Sequence, residues 1–147
     1  MTPYLIPDES VNTALISAAK SGVDVRIMTP HIPDKKTVFM MTRAHYEPLI
    51  RGGVKIYEYT PGFLHAKSFA VDDRFATVGS VNLDYRSLFL HFENGALLLD
   101  SPAVKDVKGD FLKTLEQCEP YTLADCRRVR WPVRVFRSIL RIFAPLL

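Results

Sequence analysis

The segment from His65 to Asn82 reads HAKSFAVDDRFATVGSVN and fills every named position of the spacing H-x-K-x4-D-x6-G-S-x-N. These residue types suit a phosphodiester. An imidazole can attack phosphorus, while a lysine ammonium, a hydroxyl and an amide stabilise the charge on the phosphoryl oxygens. No His, Cys, Asp and Glu cluster at ligand spacing accompanies the set, so the chemistry read from it requires no metal. A lone His or Lys would carry little weight; six positions at fixed spacing are a far more specific signal.

Such a set needs elements that hold it still. In an extended segment His65 and Lys67 project from one face, while Ala66 and Ser68 turn away. Ser80 and Asn82 repeat that relation after Gly79, whose missing side chain would let the backbone approach a ligand. Apolar-rich Phe63–Val71 and the shorter Phe75–Val78 read as strands joined at Asp72-Asp73, a hairpin. Ahead of them, Glu9–Ser21 has helical periodicity and Gly22 where a C-terminal cap belongs. Val23, Val25 and Ile27 alternate with Asp24, Arg26 and Met28 as in a strand, and Pro30 and Pro33 interrupt the chain before Asp34, an expected N-cap. A helix from about Lys35 to Arg51 ends at Gly52-Gly53, and Val54–Tyr59 reads as a further strand. Phe92–Leu99 is apolar enough for a buried strand, and Ser101-Pro102 opens a helix running to about Cys118. The alternation of helix and strand argues for an α/β or α+β sheet domain.

The chain has 147 residues, 48% of them hydrophobic, enough for one compact domain. Of its 19 basic residues, six arginines (Arg127, Arg128, Arg130, Arg134, Arg137, Arg141) follow Asp125, where there is no acid. The remaining 13 basic residues meet 16 acidic ones, so the body is mildly acidic and a globally basic nucleic-acid binder is not expected. From Trp131 the tail reads WPVRVFRSILRIFAPLL, with arginines at helical spacing against aliphatic and aromatic residues. Such a basic amphipathic helix is suited to an anionic bilayer interface. The division expected is a domain over 1–120 and a basic tail over 121–147. No apolar run reaches the roughly 20 residues of a spanning helix, and no signal peptide is evident. Cys118 and Cys126 fit neither a zinc nor a CxxC spacing and are expected to be free thiols. His31, His45 and His91 have no partner at motif spacing and are expected to be structural or exposed. Tyr85 and Phe89 are expected in the core.

The motif resembles that of the phospholipase D superfamily. Within it, Asn82-Leu83-Asp84-Tyr85-Arg86-Ser87, the segment HFENG, the opening TPYLIPD and the run YEYTPG at 57–62 are similar to the cardiolipin synthases. The resemblance covers nearly the whole chain and implies an α/β phospholipase D-like domain, a central mixed sheet flanked by helices. It assigns His65 as nucleophile or general acid, Lys67, Ser80 and Asn82 to the phosphate pocket, Asp72 as a supporting carboxylate and Glu93 as the acid that orients a catalytic His. It implies a bacterial membrane enzyme without cofactor. That enzyme would move a phosphatidyl group between two phosphatidylglycerol molecules through a phosphohistidine, giving cardiolipin and glycerol. Hydrolysis of another diester, or binding of anionic lipid without catalysis, are the alternatives. Typical relatives carry N-terminal membrane helices and a first motif domain, so these residues correspond to a C-terminal half. One His cannot easily both attack phosphorus and protonate the leaving group on the opposite side. A second motif is expected from an N-terminal half or from a second copy across a two-fold axis.

Overall fold

The computed structural model describes residues 1–142; the end of the expected amphipathic tail, Phe143–Leu147, lies outside the described residues. Strand β1 (Leu5–Ile6) leads into helix α1 (Glu9–Lys20), capped by the Asp8 carboxylate, which accepts from the Val11 N–H. β2 (Arg26–Pro30) and α2 (Lys36–Arg51) follow, then β3 (Lys55–Tyr59). Both helices end in Schellman geometry, with Val23 N–H bonding Ala18 and Val54 N–H bonding Leu49 while Gly22 and Gly53 take positive φ. β4 (Ser68–Val71) and β5 (Phe75–Gly79) form the expected hairpin, and β6 (Leu83–Asp84) runs into a π-helical turn, Arg86–Leu90. β7 (Gly95–Leu99), α3 (Pro102–Leu115), β8 (Cys118–Tyr121), α4 (Leu123–Arg128) and α5 (Trp131–Ile142) complete the order.

The strands form three hydrogen-bonded groups: β1 with β6, β2-β3-β8, and β4-β5-β7. β2 and β3 are parallel, β8 is antiparallel to β3, and the third group is antiparallel throughout. The N-terminal residues knit the groups together. Thr2 N–H bonds the Met28 carbonyl, Met1 exchanges backbone bonds with Ser68, and the Thr2 hydroxyl accepts from the Leu83 N–H.

β2 starts later than alternation alone suggests and includes Pro30, because Ile27, Met28 and Thr29 are buried in succession. A strand covered on both faces shows no alternation. Ile27, Tyr46, Leu49, Val54 and Ile56 form the centre of the core with Leu5, and Cys126 of α4 joins them. The expected long helix after Ser101 stops at Leu115, and Cys118–Tyr121 is a strand beside β3. β7 is a strand as expected but not a buried one: Leu97 and Leu99 are 63% and 64% exposed. It lies at the sheet edge with one face open. Tyr85 packs beside Ile6 and Met41, whereas Phe89 is exposed.

Candidate functional site

His65 and Lys67 lie in extended chain just before β4, not inside a regular strand as expected, although the Gly79 N–H still reaches the Lys67 carbonyl at 3.2 Å. The His65 ring is exposed and stacks on Phe63, with centroids 5.3 Å apart and planes 16° off parallel. Tyr4 meets it edge-on at 6.2 Å and donates its hydroxyl to Asp34, in the loop after β2. Aromatic packing therefore sets the imidazole's orientation on this side. Asp34, drawn to Tyr4, accepts from the Lys35 N–H and is not the helix cap; Lys35 holds that position without a side-chain bond.

Lys67 Nζ donates to the His65 carbonyl at 2.8 Å, so the ammonium is folded back beside the imidazole. Partial burial lowers its pKa from the ordinary lysine value, opposed by the negative charges of Glu93, Asp34 and Asp84.

Ser80 and Glu93 meet on the other side of the hairpin. The β5–β7 register pairs Gly79 with Gly95, which brings Glu93 beside Ser80. The Ser80 hydroxyl donates to the Glu93 carboxylate and accepts from the Asn94 N–H at 2.9 Å. Hydrogen bonding from Ser80 and then from Ser87, with His91 and Lys67 nearby, holds the Glu93 carboxyl below the usual glutamate range. Among the described residues no hydrogen bond joins Glu93 to His65, so the orienting contact expected of Glu93 is not made to this imidazole. The reason for Gly79 also differs from the one expected. A Cβ there would collide with the Asn94 carbonyl oxygen and the Gly95 Cα, so the close approach is to the backbone entering β7.

Asn82 donates to the Ser87 hydroxyl at 3.1 Å, and its Oδ1 is buried with no partner among the described residues. Buried Asp84 accepts from the Ser87 N–H at 2.7 Å and fixes the turn that carries Ser87. Asp72 stands apart from this group, in the β4–β5 turn at the far end of β4 from His65. It and Asp73 have φ of 50° and 57°, a left-handed conformation that Asp tolerates. Its position explains the residue type through the turn.

The structure thus gathers His65, Lys67, Ser80, Asn82 and Glu93 at one end of the hairpin. Tyr4, Phe63, Asp34 and Ser87 were not assigned to the site from sequence. Tyr4 is within the TPYLIPD segment, yet no spacing rule links a residue there to one 61 positions later. His45 is buried, with its Nδ1–H donated to the Met41 carbonyl at 2.9 Å, and His31 bonds Glu58.

The fold is that of the phospholipase D family. Nuc from Salmonella typhimurium, a phospholipase D family member, superposes with a TM-score of 0.68 at 19% identity, over 83% of this chain and 80% of that one. Phosphatidylserine synthase from Haemophilus influenzae matches with the same score and identity over 99% of this chain and 38% of that one. The chain belongs to the family of the cardiolipin synthase, PLD-like domain, whose model matches residues 1–115. A cardiolipin synthase of Geobacillus sp. (strain WCH70) is 43% identical over 146 residues, which are 99% of this chain and 29% of that protein. The chain spans less than a third of the length of the curated relatives it matches and aligns with their C-terminal part.

Proposed function

We propose that this chain supplies the C-terminal half-site of a cardiolipin synthase, a phosphatidyltransferase acting on phosphatidylglycerol at the bacterial membrane. The observation that carries the reading is the convergence of His65, Lys67, Ser80 and Asn82 at one end of the β4–β5 hairpin in a member of this family. In the reaction, a ring nitrogen of His65 forms a bond to phosphorus as the P–O bond to the leaving glycerol breaks. The departing alkoxide takes a proton from a second imidazole. A headgroup hydroxyl of the next phosphatidylglycerol then attacks phosphorus, the N–P bond breaks, and the hydroxyl proton returns to that second imidazole.

Lys67 would exchange the His65 carbonyl for a phosphoryl oxygen, and Ser80 and Asn82 would bind the others. Asp72 supports the motif through its turn. Glu93, which makes no bond to His65 and accepts from Ser80, would orient an imidazole from the opposing half. That half comes from an N-terminal domain or from a second copy, and the exposed Phe89, Leu90 and Phe92 ahead of Glu93, continued along the β7 edge by Leu97, suit its docking. The catalytic unit extends past the expected boundary at 120 through α4, since Tyr121 pairs with Ile56 and Cys126 joins the core, and the tail that meets the membrane surface begins with α5.

The test is the mass of the purified chain in mild detergent together with assay of the same sample on phosphatidylglycerol. Cardiolipin and glycerol in equal amounts are expected wherever two motifs assemble, and none from a monomer. Release of phosphatidic acid in their place, or turnover retained by His65→Ala, overturns the reading.

A further inference from the structure

Helix α5 is oriented against the usual rule. Arg134, Arg137, Ser138 and Arg141 line a cleft of about 340 Å³ against Glu47 and Arg51 of α2. Trp131, Val135, Phe136, Ile139 and Ile142 face outward, with Trp131 and Ile142 75% and 73% exposed. At 100° per residue the two sets fall on different arcs of the helix, joined at Leu140, which packs beside Ile6 and Met41. Arg137 is half-buried and Arg134 and Arg141 stay exposed at the cleft, whereas a helix that only covered the body would bury its apolar arc.

The cleft is strongly cationic. Arg51 and Arg134 both pair with Glu47, while Arg137 and Arg141 have no acidic partner among the described residues. The fifth lining arginine, Arg43, is already bound by Glu58. Among the described residues the Arg137 Nε–H is buried with no acceptor. A buried donor of this kind is costly to leave unpaired, and a phosphate oxygen is the acceptor a guanidinium fits best.

From these observations we infer that the α2–α5 cleft is a second anionic-phospholipid site, apart from the motif, which seats a lipid phosphate on Arg137 and Arg141 while the outer arc of α5 enters the bilayer interface. The exposed apolar arc next to the cationic cleft selects a lipid over a soluble anion, because a free phosphate would leave that arc in water. The inference rests on the membrane reading of the tail and adds the residues that make the contact.

Trp131 is the only tryptophan in the chain, so its fluorescence reports the outer arc directly. The full chain is titrated with phosphatidylcholine vesicles, with and without phosphatidylglycerol. A blue shift and co-sedimentation are expected with the anionic vesicles, weakening as salt is added. Arg137→Gln with Arg141→Gln should lower that affinity by roughly fivefold per arginine, and Val135→Ser with Ile139→Ser should abolish the shift. The salt titration of the unmodified chain tests the electrostatic part should a variant fail to fold. Equal binding to both vesicle types overturns the inference. So does thermal protection by inorganic phosphate matching that by vesicles, which would make the cleft a free-anion site. A lipid-independent blue shift with doubling of mass would make the arc an interface between copies and also overturns it. His65→Ala should bind vesicles normally, which separates failure here from failure of the catalytic reading.

Discussion

On β3, the Glu58 carboxylate has a side chain only 4% exposed and is fully engaged. Arg43 donates to it twice, at 2.8 and 2.6 Å, the Tyr46 hydroxyl donates at 3.1 Å, and His31 Nδ1 lies 2.7 Å away. At the end of β5, the motif has the same kinds of group with the opposite treatment. Lys67 is held by a neighbouring carbonyl, Ser80 is exposed while bonded to Glu93 and Asn94, and among the described residues Asn82 Oδ1 has no donor. The first network is complete within the chain and contributes to the fold. The second leaves capacity for groups that the chain does not supply. The difference separates polar residues kept for structure from those available for chemistry, which residue type alone does not do.

The largest effect should come at the open end. In an assembly that makes cardiolipin, His65→Ala is expected to lower transfer by on the order of 10⁴-fold or more, with the thermal midpoint unchanged. A large loss of stability in that variant would mean that His65 belongs to the structural class.

Next comes the closed network. Glu58→Leu leaves Arg43 partly buried without its carboxylate and should cost about 3–5 kcal/mol in urea unfolding. A loss below about 1 kcal/mol would show that this network is no more committed to the fold than a surface ion pair.

His45 gives the third test. Burial lowers its pKa from 6.5 to about 4, with Arg141 adding to the shift and the Met41 carbonyl opposing it. The folded state therefore keeps the ring neutral while the unfolded chain protonates it. Its contribution is present above pH 6.5 and is lost as pH falls toward 4, up to roughly 3 kcal/mol. Between pH 6.5 and 5, the unfolding free energy of the unmodified chain should fall faster than that of His45→Gln, by about one proton's worth of slope. Parallel curves would contradict the burial of a neutral ring.

The smallest effect on folding should come from the exposed edge. Leu97→Ser should change stability by less than about 0.5 kcal/mol, yet weaken association with a partner half or second copy, read by mass in detergent. A large loss of stability would mean that β7 is covered within the chain and that the contrast between the two ends is misplaced.

Most elements near the site were legible from local patterns. The hairpin, the two helix ends at Gly22 and Gly53, and the Ser101 start of α3 each depend on a few adjacent residues. β1, β6 and β8 were not legible. Two strands of two residues and one containing Pro120 have no periodicity to read, and they exist because partners from distant parts of the chain lie alongside. The same reason separates the site residues. His65, Lys67, Ser80 and Asn82 could be named as candidates because they follow one another along a single hairpin and its flanks. Tyr4, Phe63 and Asp34 were not found as site residues because the first and last reach His65 only through the fold.

The sequence by itself determined the chemistry on offer, since an imidazole, an ammonium, a hydroxyl and an amide at fixed separations keep their character in any fold that pairs β4 with β5. Only the tertiary structure decided what surrounds them. The β5–β7 register turned Glu93 toward Ser80, the packing of α2 turned the arginines of α5 inward, and β7 was left at an open edge. Periodicity identifies an apolar face, but whether that face meets the core or the outside depends on which element the chain packs against it.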